Sequence, residues 1–270
     1  MADSLRDVVA RHGLAPRKSL GQHFLLDEGV CGRIAALAGD LTGKHVLEVG
    51  PGPGGLTRAL LARPLASLLA CELDDRAIAA LAEIGDPRLT VLHQDALKLD
   101  AVAALPAPRQ IVANLPYNVG TPLLIAWLRH AAAFDRMTLM FQLEVAERIC
   151  AAPDTEHYGR LAVLSQWTCE CRVLMRLPPG AFTPPPRVYS AVVDLVPRAA
   201  QPEPALLAAM ERLTAAAFGQ RRKMLRGSLK SLGDAEGLLG GCGIASDRRA
   251  ETLSIAEFDA LARALLRRDA

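Results

Sequence analysis

Short apolar runs alternate with stretches of helical spacing along the first 200 residues, and this alternation predicts an α/β fold with a largely parallel sheet. Strands are expected at residues 45–49, 68–71, 89–92, 111–113, 137–141 and 191–196, with a β-like run through Cys169, Cys171, Val173 and Met175. Helices are expected from residue 1 to about 16, where Leu5, Val8 and Val9 share a face, and at residues 28–38, 56–61, 76–84, 123–130 and 144–149. Residues 178–186 read as a stiff proline-rich loop carrying Phe182, and residues 198–204 as a linker. The remainder is helical, with breaks at Gly219, Gly233 and residues 237–243. This layout predicts a Rossmann-like domain over residues 1–200, opened by a helix and loop through residue 27, and a small helical domain over residues 201–270.

Composition adds limits to this picture. At 51% hydrophobic and 22% charged, the chain is globular, and its 270 residues can bury a sizeable core. The acidic residues Asp3 and Asp7 interrupt the N-terminus, which lacks the apolar stretch of a signal peptide. Residues 110–128 are free of charge, but Asn114, Pro116, Asn118, Gly120 and Pro122 fit a strand, loop and helix better than a membrane span. The six cysteines are dispersed and read as small buried hydrophobes, so neither a disulfide framework nor a metal site is expected. The net charge of +2 says little, but Arg221, Arg222, Lys223, Arg226 and Lys230 crowd one acid-free stretch. Several would share a face at helical spacing, as either a solvated surface or a phosphate-binding one.

Candidate chemistry gathers at the carboxyl ends of the strands, where open α/β sheets bind ligands. After residues 45–49 comes Gly50-Pro51-Gly52-Pro53-Gly54-Gly55, a glycine loop opening a helix. Pro51 and Pro53 lack the N–H groups that a pyrophosphate needs, which favours a nucleoside cofactor without phosphate, such as S-adenosylmethionine. Glu72 ends the next strand about 20 residues on, where a carboxylate can accept both ribose hydroxyls. Asp95 ends another strand and either accepts from an adenine amine or caps a helix. Asn114-Leu115-Pro116-Tyr117 combines an amide, a stiffened carbonyl and an aromatic face that together can hold a heterocycle, or else is a turn in which the Asn caps the next helix. Phe182 has prolines on both sides that leave little room for a core role, so its ring is expected to face a ligand. Lys18 to Leu25 reads as a polar loop with an apolar anchor over a pocket.

These segments, with Tyr158-Gly159-Arg160-Leu161, Ser190-Ala191-Val192-Val193 and Phe218 to Leu225, together resemble the ribosomal RNA adenine dimethyltransferases, most of all their bacterial small-subunit branch. The resemblance implies a class I S-adenosylmethionine-dependent methyltransferase fold and dimethylation at N6 of two adjacent adenosines in the 3′-terminal hairpin loop of 16S ribosomal RNA. It implies action on an immature 30S subunit by a cytoplasmic monomer, without metal or membrane. Carried onto this chain, the cofactor site comprises Gln22, His23, Leu25, Gly50, Gly52, Glu72, Leu73, Asp95, Ala96 and Asn114. Asn114, Leu115, Pro116 and Tyr117 form the catalytic loop, Phe182 adds a second aromatic face, and the cluster from Arg221 to Lys230 grips RNA. Three departures stand out: Leu143 where Lys is common, Tyr189 where Asp is common, and Val119-Gly120 where Ile-Ser is usual. Rival readings are a 23S RNA or other adenine N6-methyltransferase, a non-catalytic assembly factor and, more distantly, a nicotinamide oxidoreductase.

Overall fold

A computed structural model describes residues 4–16, 21–220 and 223–269. Lys18, Ser19, Leu20, Arg221 and Arg222, named above, therefore lie outside the described residues. The chain opens with α1 (Leu5–Arg11), where Ser4 and Asp7 cap each other's backbone reciprocally. Then follow β1 (Phe24–Leu25), α2 (Glu28–Leu37), β2 (His45–Val49), α3 (Gly55–Leu61), β3 (Ser67–Glu72), α4 (Asp75–Ala82) and β4 (Leu89–His93). The middle of the chain carries α5 (Ala101–Ala104), β5 (Arg109–Asn114), α6 (Gly120–Leu128), β6 (Arg136–Gln142) and α7 (Leu143–Cys150). Beyond it lie α8 (Arg160–Thr168), β7 (Cys169–Leu177), β8 (Phe182–Thr183), β9 (Ser190–Pro197), α9 (Pro204–Phe218), α10 (Leu225–Ser228), α11 (Ala235–Gly241) and α12 (Ile255–Asp269).

Seven strands form one sheet in the order β4-β3-β2-β5-β6-β9-β7. The five from β4 to β6 pair in parallel, and β9 returns antiparallel to β6 with Leu139 opposite Val193. Near-continuous apolar strands are what a sheet covered on both faces requires, and Ile111, Val112 and Ala113 are all buried. From β2 the chain steps outward to β3 and β4, then returns to place β5 on the other side of β2. That reversal opens a crevice beyond the strand ends. The uncharged span of residues 110–128 is indeed strand, loop and helix, and no helix among the described residues is long and apolar enough to cross a membrane.

The chain divides into two compact units, Met1–Ala146 with Arg172–Pro197, and Glu147–Cys171 with Arg198–Ala270. Residues 147–171, expected within the sheet domain, thus group with the C-terminal helices. Their side chains explain it: the Tyr158 hydroxyl donates to the Leu253 carbonyl at 2.9 Å, Trp167 Nε1 donates to Asp259 at 3.0 Å, and Val163 and Leu164 are buried. Within the same unit Phe218 stacks on Phe258 with ring centres 5.6 Å apart. The basic stretch is not one helix face. It runs from a bend through the single turn of α10 into a 3₁₀ turn, with Leu225 and Leu229 buried and Lys223, Arg226 and Lys230 exposed.

Phe182 requires a correction. A short antiparallel ladder sets Leu25 opposite Phe182 and Phe24 opposite Thr183. The pairing turns the Phe182 ring into the core cluster with Leu25, Val30, Leu177 and Val192, where it is only 3% exposed. The flanking prolines fix the backbone without keeping the side chain out. Replacing Phe182 with Ala is therefore expected to lower stability by about 3–5 kcal/mol in urea denaturation. A loss under about 1 kcal/mol would return the ring to the surface.

Candidate active site

The crevice contains a cavity whose empty space, counted to its open mouth, is about 1010 Å³. Its floor is the glycine loop, and the floor's shape follows from backbone accounting. Gly50, Gly52 and Gly54 all have positive φ, which glycine adopts without strain. The Gly50 N–H donates to the Cys71 carbonyl at 3.0 Å, Gly52 to Glu72 Oε2 at 3.0 Å, and Gly54 to the Pro51 carbonyl at 3.1 Å. Pro51 and Pro53 have no N–H, so residues 50–54 have no donor left over for a phosphate. Gly50 and Gly52 also make room for neighbours. A Cβ at Gly50 would sit 3.1 Å from the Pro116 ring, and one at Gly52 would sit 2.9 Å from the Phe24 ring.

Acceptors ring this floor. Glu72 accepts from Gly52 through Oε2, and from the Leu73 and Asp74 N–H groups through Oε1 at 2.7 and 2.9 Å. Three backbone donors hold the carboxylate in place while lone pairs remain for a ligand's hydroxyls. Asp95 lines the cavity and also caps the 3₁₀ turn that follows, accepting from the Leu97 N–H at 3.0 Å. The capping role foreseen for it is therefore present, and the side chain lies at the cavity wall as well. Leu73 and Ala96 line the cavity too. The Cys71 thiol lies on the wall, donates to the Gln94 carbonyl at 3.2 Å, and is pushed up to about 11 by burial with the Glu72 charge adding. It stays protonated and is no nucleophile.

The second wall is Asn114 to Tyr117, covered by residues 21–25. Asn114 does not cap α6, whose cap position is Val119. Its Nδ2 donates instead to the His23 carbonyl at 3.4 Å, leaving Oδ1 for a ligand. The Tyr117 hydroxyl shares a 2.6 Å hydrogen bond with Ser190 Oγ, and burial pushes its phenol up, so Tyr117 presents a neutral ring. The aromatic partner on that ring is His23, with ring centres 5.2 Å apart. His23 is held in turn by a 2.8 Å hydrogen bond between Nδ1 and the Pro184 carbonyl. Gln22 donates to Asp74 at 3.2 Å, and the Arg76 guanidinium, which holds Asp74 down to about 2, also donates to the carbonyls of Gly13 and Ala15. Leu25 completes the lining from above. Of the sequence-named site residues, all but Phe182 and the basic cluster meet around this one cavity.

Glu48 is the residue that sequence reasoning passed over. It lines the cavity at the end of β2, is 1% exposed, and accepts from the Thr57 hydroxyl at 2.7 Å. Its signal was a lone carboxylate inside an apolar strand, two residues before a glycine loop. Two of the family departures also meet, since the Leu143 N–H donates to the Tyr189 carbonyl at 2.8 Å while the Tyr189 side chain is exposed. Gly120 admits the Phe141 ring, 3.3 Å from where a Cβ would lie, so a serine there would press on it.

The sequence model of the family described as ribosomal RNA adenine dimethylase matches residues 13–265. A Gluconobacter oxydans protein described as ribosomal RNA small subunit methyltransferase A is 63% identical over 262 residues, 96% of this chain and 86% of that protein. A protein of the same description from Paramagnetospirillum magneticum is 58% identical over 270 residues, 98% of this chain and 96% of its own. Among solved structures, a dimethyladenosine transferase from Plasmodium falciparum shares the fold with a TM-score of 0.77 at 24% identity, covering 88% of this chain and 96% of that one. The 23S rRNA methyltransferase ErmE is similar with a TM-score of 0.67 at 28% identity, covering 90% of this chain and 99% of that one.

Burial pushes the Glu48 carboxyl up to about 8, with the Glu72 charge adding and the Thr57 hydrogen bond opposing. An unfolded glutamate ionises near about 4.3, so between roughly pH 4.5 and 8 the folded protein keeps a proton that the unfolded chain has released. Stability from this group is full below that window and is lost as pH rises through it. In urea titrations, the stability of Glu48→Gln relative to the parent should therefore rise from about pH 5 to about pH 8. A difference that stays constant with pH would show that Glu48 is ionised throughout.

Proposed function

Because this chain belongs to the ribosomal RNA adenine dimethylase family, we propose that it dimethylates N6 of two adjacent adenosines in the 3′-terminal hairpin loop of 16S ribosomal RNA, within an immature small subunit. The observation that carries the reading is the cavity's donor and acceptor set: residues 50–54 with no N–H left for phosphate, beside the strand-end carboxylates of Glu72 and Asp95. The residues fit S-adenosylmethionine. Glu72 would take the ribose hydroxyls, Asp95 with the adjacent Ala96 backbone the adenine, and Gly50, Gly52, His23 and Leu25 the remainder. When bound, this cofactor supplies an electrophilic methyl group.

The chain's own residues prepare the nitrogen that receives it. An adenine amine is a poor nucleophile because its lone pair is delocalised into the ring. Asn114 Oδ1 and the Leu115 carbonyl would accept its two hydrogens, which favours a pyramidal nitrogen with a directed lone pair. The Asn114 amide is oriented for this by its bond to the His23 carbonyl. Those fixed dipoles also stabilise the positive charge that develops on nitrogen. Tyr117 stacks the extruded base, worth about 1–3 kcal/mol by alanine substitution. At 5.2 Å the His23 and Tyr117 rings leave no space for a base between them, so a base taking that face displaces the imidazole. With Phe182 in the core, Tyr117 and His23 supply the aromatic surface.

The helical C-terminal unit would bind the RNA, with exposed Lys223, Arg226 and Lys230 contacting phosphates and the enzyme working as a cytoplasmic monomer. Relatives of 63% and 58% identity described as small-subunit enzymes favour 16S over 23S RNA as the substrate. The reading is tested with labelled S-adenosylmethionine and 30S particles lacking the modification, and absence of dimethyladenosine from the 3′ hairpin would refute it. Asn114→Ala should cut transfer by 10²-fold or more on the scale of a lost transition-state hydrogen bond, while RNA binding stays within about twofold. Equal loss of both would remove Asn114 from the chemistry. Reversing charge at Lys223, Arg226 and Lys230 should weaken RNA binding and reduce its salt slope by about 0.7–0.9 for each phosphate that is no longer neutralised. An unchanged slope would leave these three as solvated side chains.

A further inference from the structure

Four neighbouring strand ends lay the cavity out as a row. The order β4-β3-β2-β5 brings Asp95, Glu72, Glu48 and Asn114 side by side, each within two residues of the end of its strand. Glu48 pairs with Ala70, and Val46 pairs with both Leu68 and Gln110. Residues separated by two or four along a strand share a face, so Glu48, Glu72 and Asn114 all look to the same side of the sheet. On the S-adenosylmethionine reading, on which this inference rests, adenine lies at Asp95, ribose at Glu72 and the accepting amine at Asn114. The portion over β2 is then the stretch between ribose and the transferred methyl, which carries the sulfonium cation. The side chain waiting there is Glu48.

Among the described residues no cationic side chain balances that carboxyl. Thr57 reaches it from α3 with a neutral hydroxyl, Cys31 faces it from α2 with a thiol kept protonated by burial, and the nearby charge on β3 is another carboxylate, Glu72. Asn114 on β5 is uncharged, and no cationic side chain among the described residues contributes to its ionisation. An ionised Glu48 would be an uncompensated buried charge in the empty cavity, a state proteins avoid by holding the proton. A cation arriving over β2 reverses the balance, since an opposite charge within a few ångströms favours the carboxylate.

We propose that Glu48 exchanges its proton for the cofactor's charge, protonated while the cavity holds no cation and ionised beneath the sulfonium, so that the site prefers the charged methyl donor to its neutral thioether product. On binding, the carboxyl O–H bond breaks and the proton leaves through the cavity to the buffer, so one positive charge enters as another departs. After methyl transfer the sulfur is neutral, and Glu48 takes a proton back from solvent as the product loosens. Glu48 forms no bond to the cofactor. Its part is to set which form of the cofactor the site holds.

Calorimetry on the full chain tests this, with S-adenosylmethionine and S-adenosylhomocysteine each titrated near neutral pH in two buffers of different ionisation enthalpy. The wild-type protein should release close to one proton more with the sulfonium than with the thioether. In Glu48→Gln that difference should vanish, with a loss of about tenfold or more in preference for the sulfonium, the equivalent of one pKa unit. Equal proton release with the two ligands by the wild-type protein overturns the proposal, and that comparison stands even if the variant folds poorly. A difference that persists in a folded Glu48→Gln assigns the exchange to another group and overturns it too. Failure of S-adenosylmethionine to bind the wild-type protein at all is a separate outcome and removes the cofactor reading beneath it.

Discussion

A single carboxylate organises the cavity. Glu72 takes the Gly52 N–H on one oxygen and two N–H groups of the β3–α4 turn on the other. It thereby ties the glycine loop to the neighbouring strand end, and the loop's position sets everything stacked on it. Pro116 of the Asn114–Tyr117 wall fits tightly against Gly50, and Phe24 of the covering segment sits so close to Gly52 that a Cβ there would force a shift. The glycines therefore do two jobs with one absence. They leave the backbone bare at the cavity, and they let the Asn114–Tyr117 wall and its cover pack onto the loop.

The covering segment is the second dependency. Between Gly21 and Leu25 it meets several parts of the site: Gly21 against Asn118, Gln22 on Asp74, His23 on Asn114 and Tyr117, and Phe24 on the glycine loop. Its outer edge is fixed by the two-residue ladder to Phe182–Thr183 and by the Pro184 carbonyl on His23. A stiff proline-rich loop is a sensible anchor for this, because it loses little entropy in holding its place. Phe182 then acts at a distance: buried in the core, it supports the ladder from which His23 is hung.

Local features were legible from the sequence. Strand ends, the phosphate-poor glycine loop and the acid at the end of β3 follow from spacing and residue type, and the sheet places them as spacing implies. What stayed hidden was decided by contacts far apart in sequence. Phe182 is buried because a strand more than 150 residues earlier pairs with it, which no local proline rule can reveal. The basic stretch looked like a helix face, but Leu225 and Leu229 must be buried, and the chain bends and tightens to bury them. Glu48 was hidden for the opposite reason: a buried strand disguises a carboxylate among valines and leucines, and only its place over the crevice gives it meaning.

The excursion of residues 147–171 into the helical unit bears on how the chain is made. Ala162, Val163 and Leu164 of α8 are made before β9, and they belong to a unit whose helices α9 to α12 follow it. At the usual pace of about 5–20 residues per second, the partners of that apolar face follow it by some seconds. The sheet likewise waits for β9, which β6 needs as its neighbour. Neither unit can finish as a separate N-terminal piece. The order of residues along this chain thus leaves the completion of both units to its later elements.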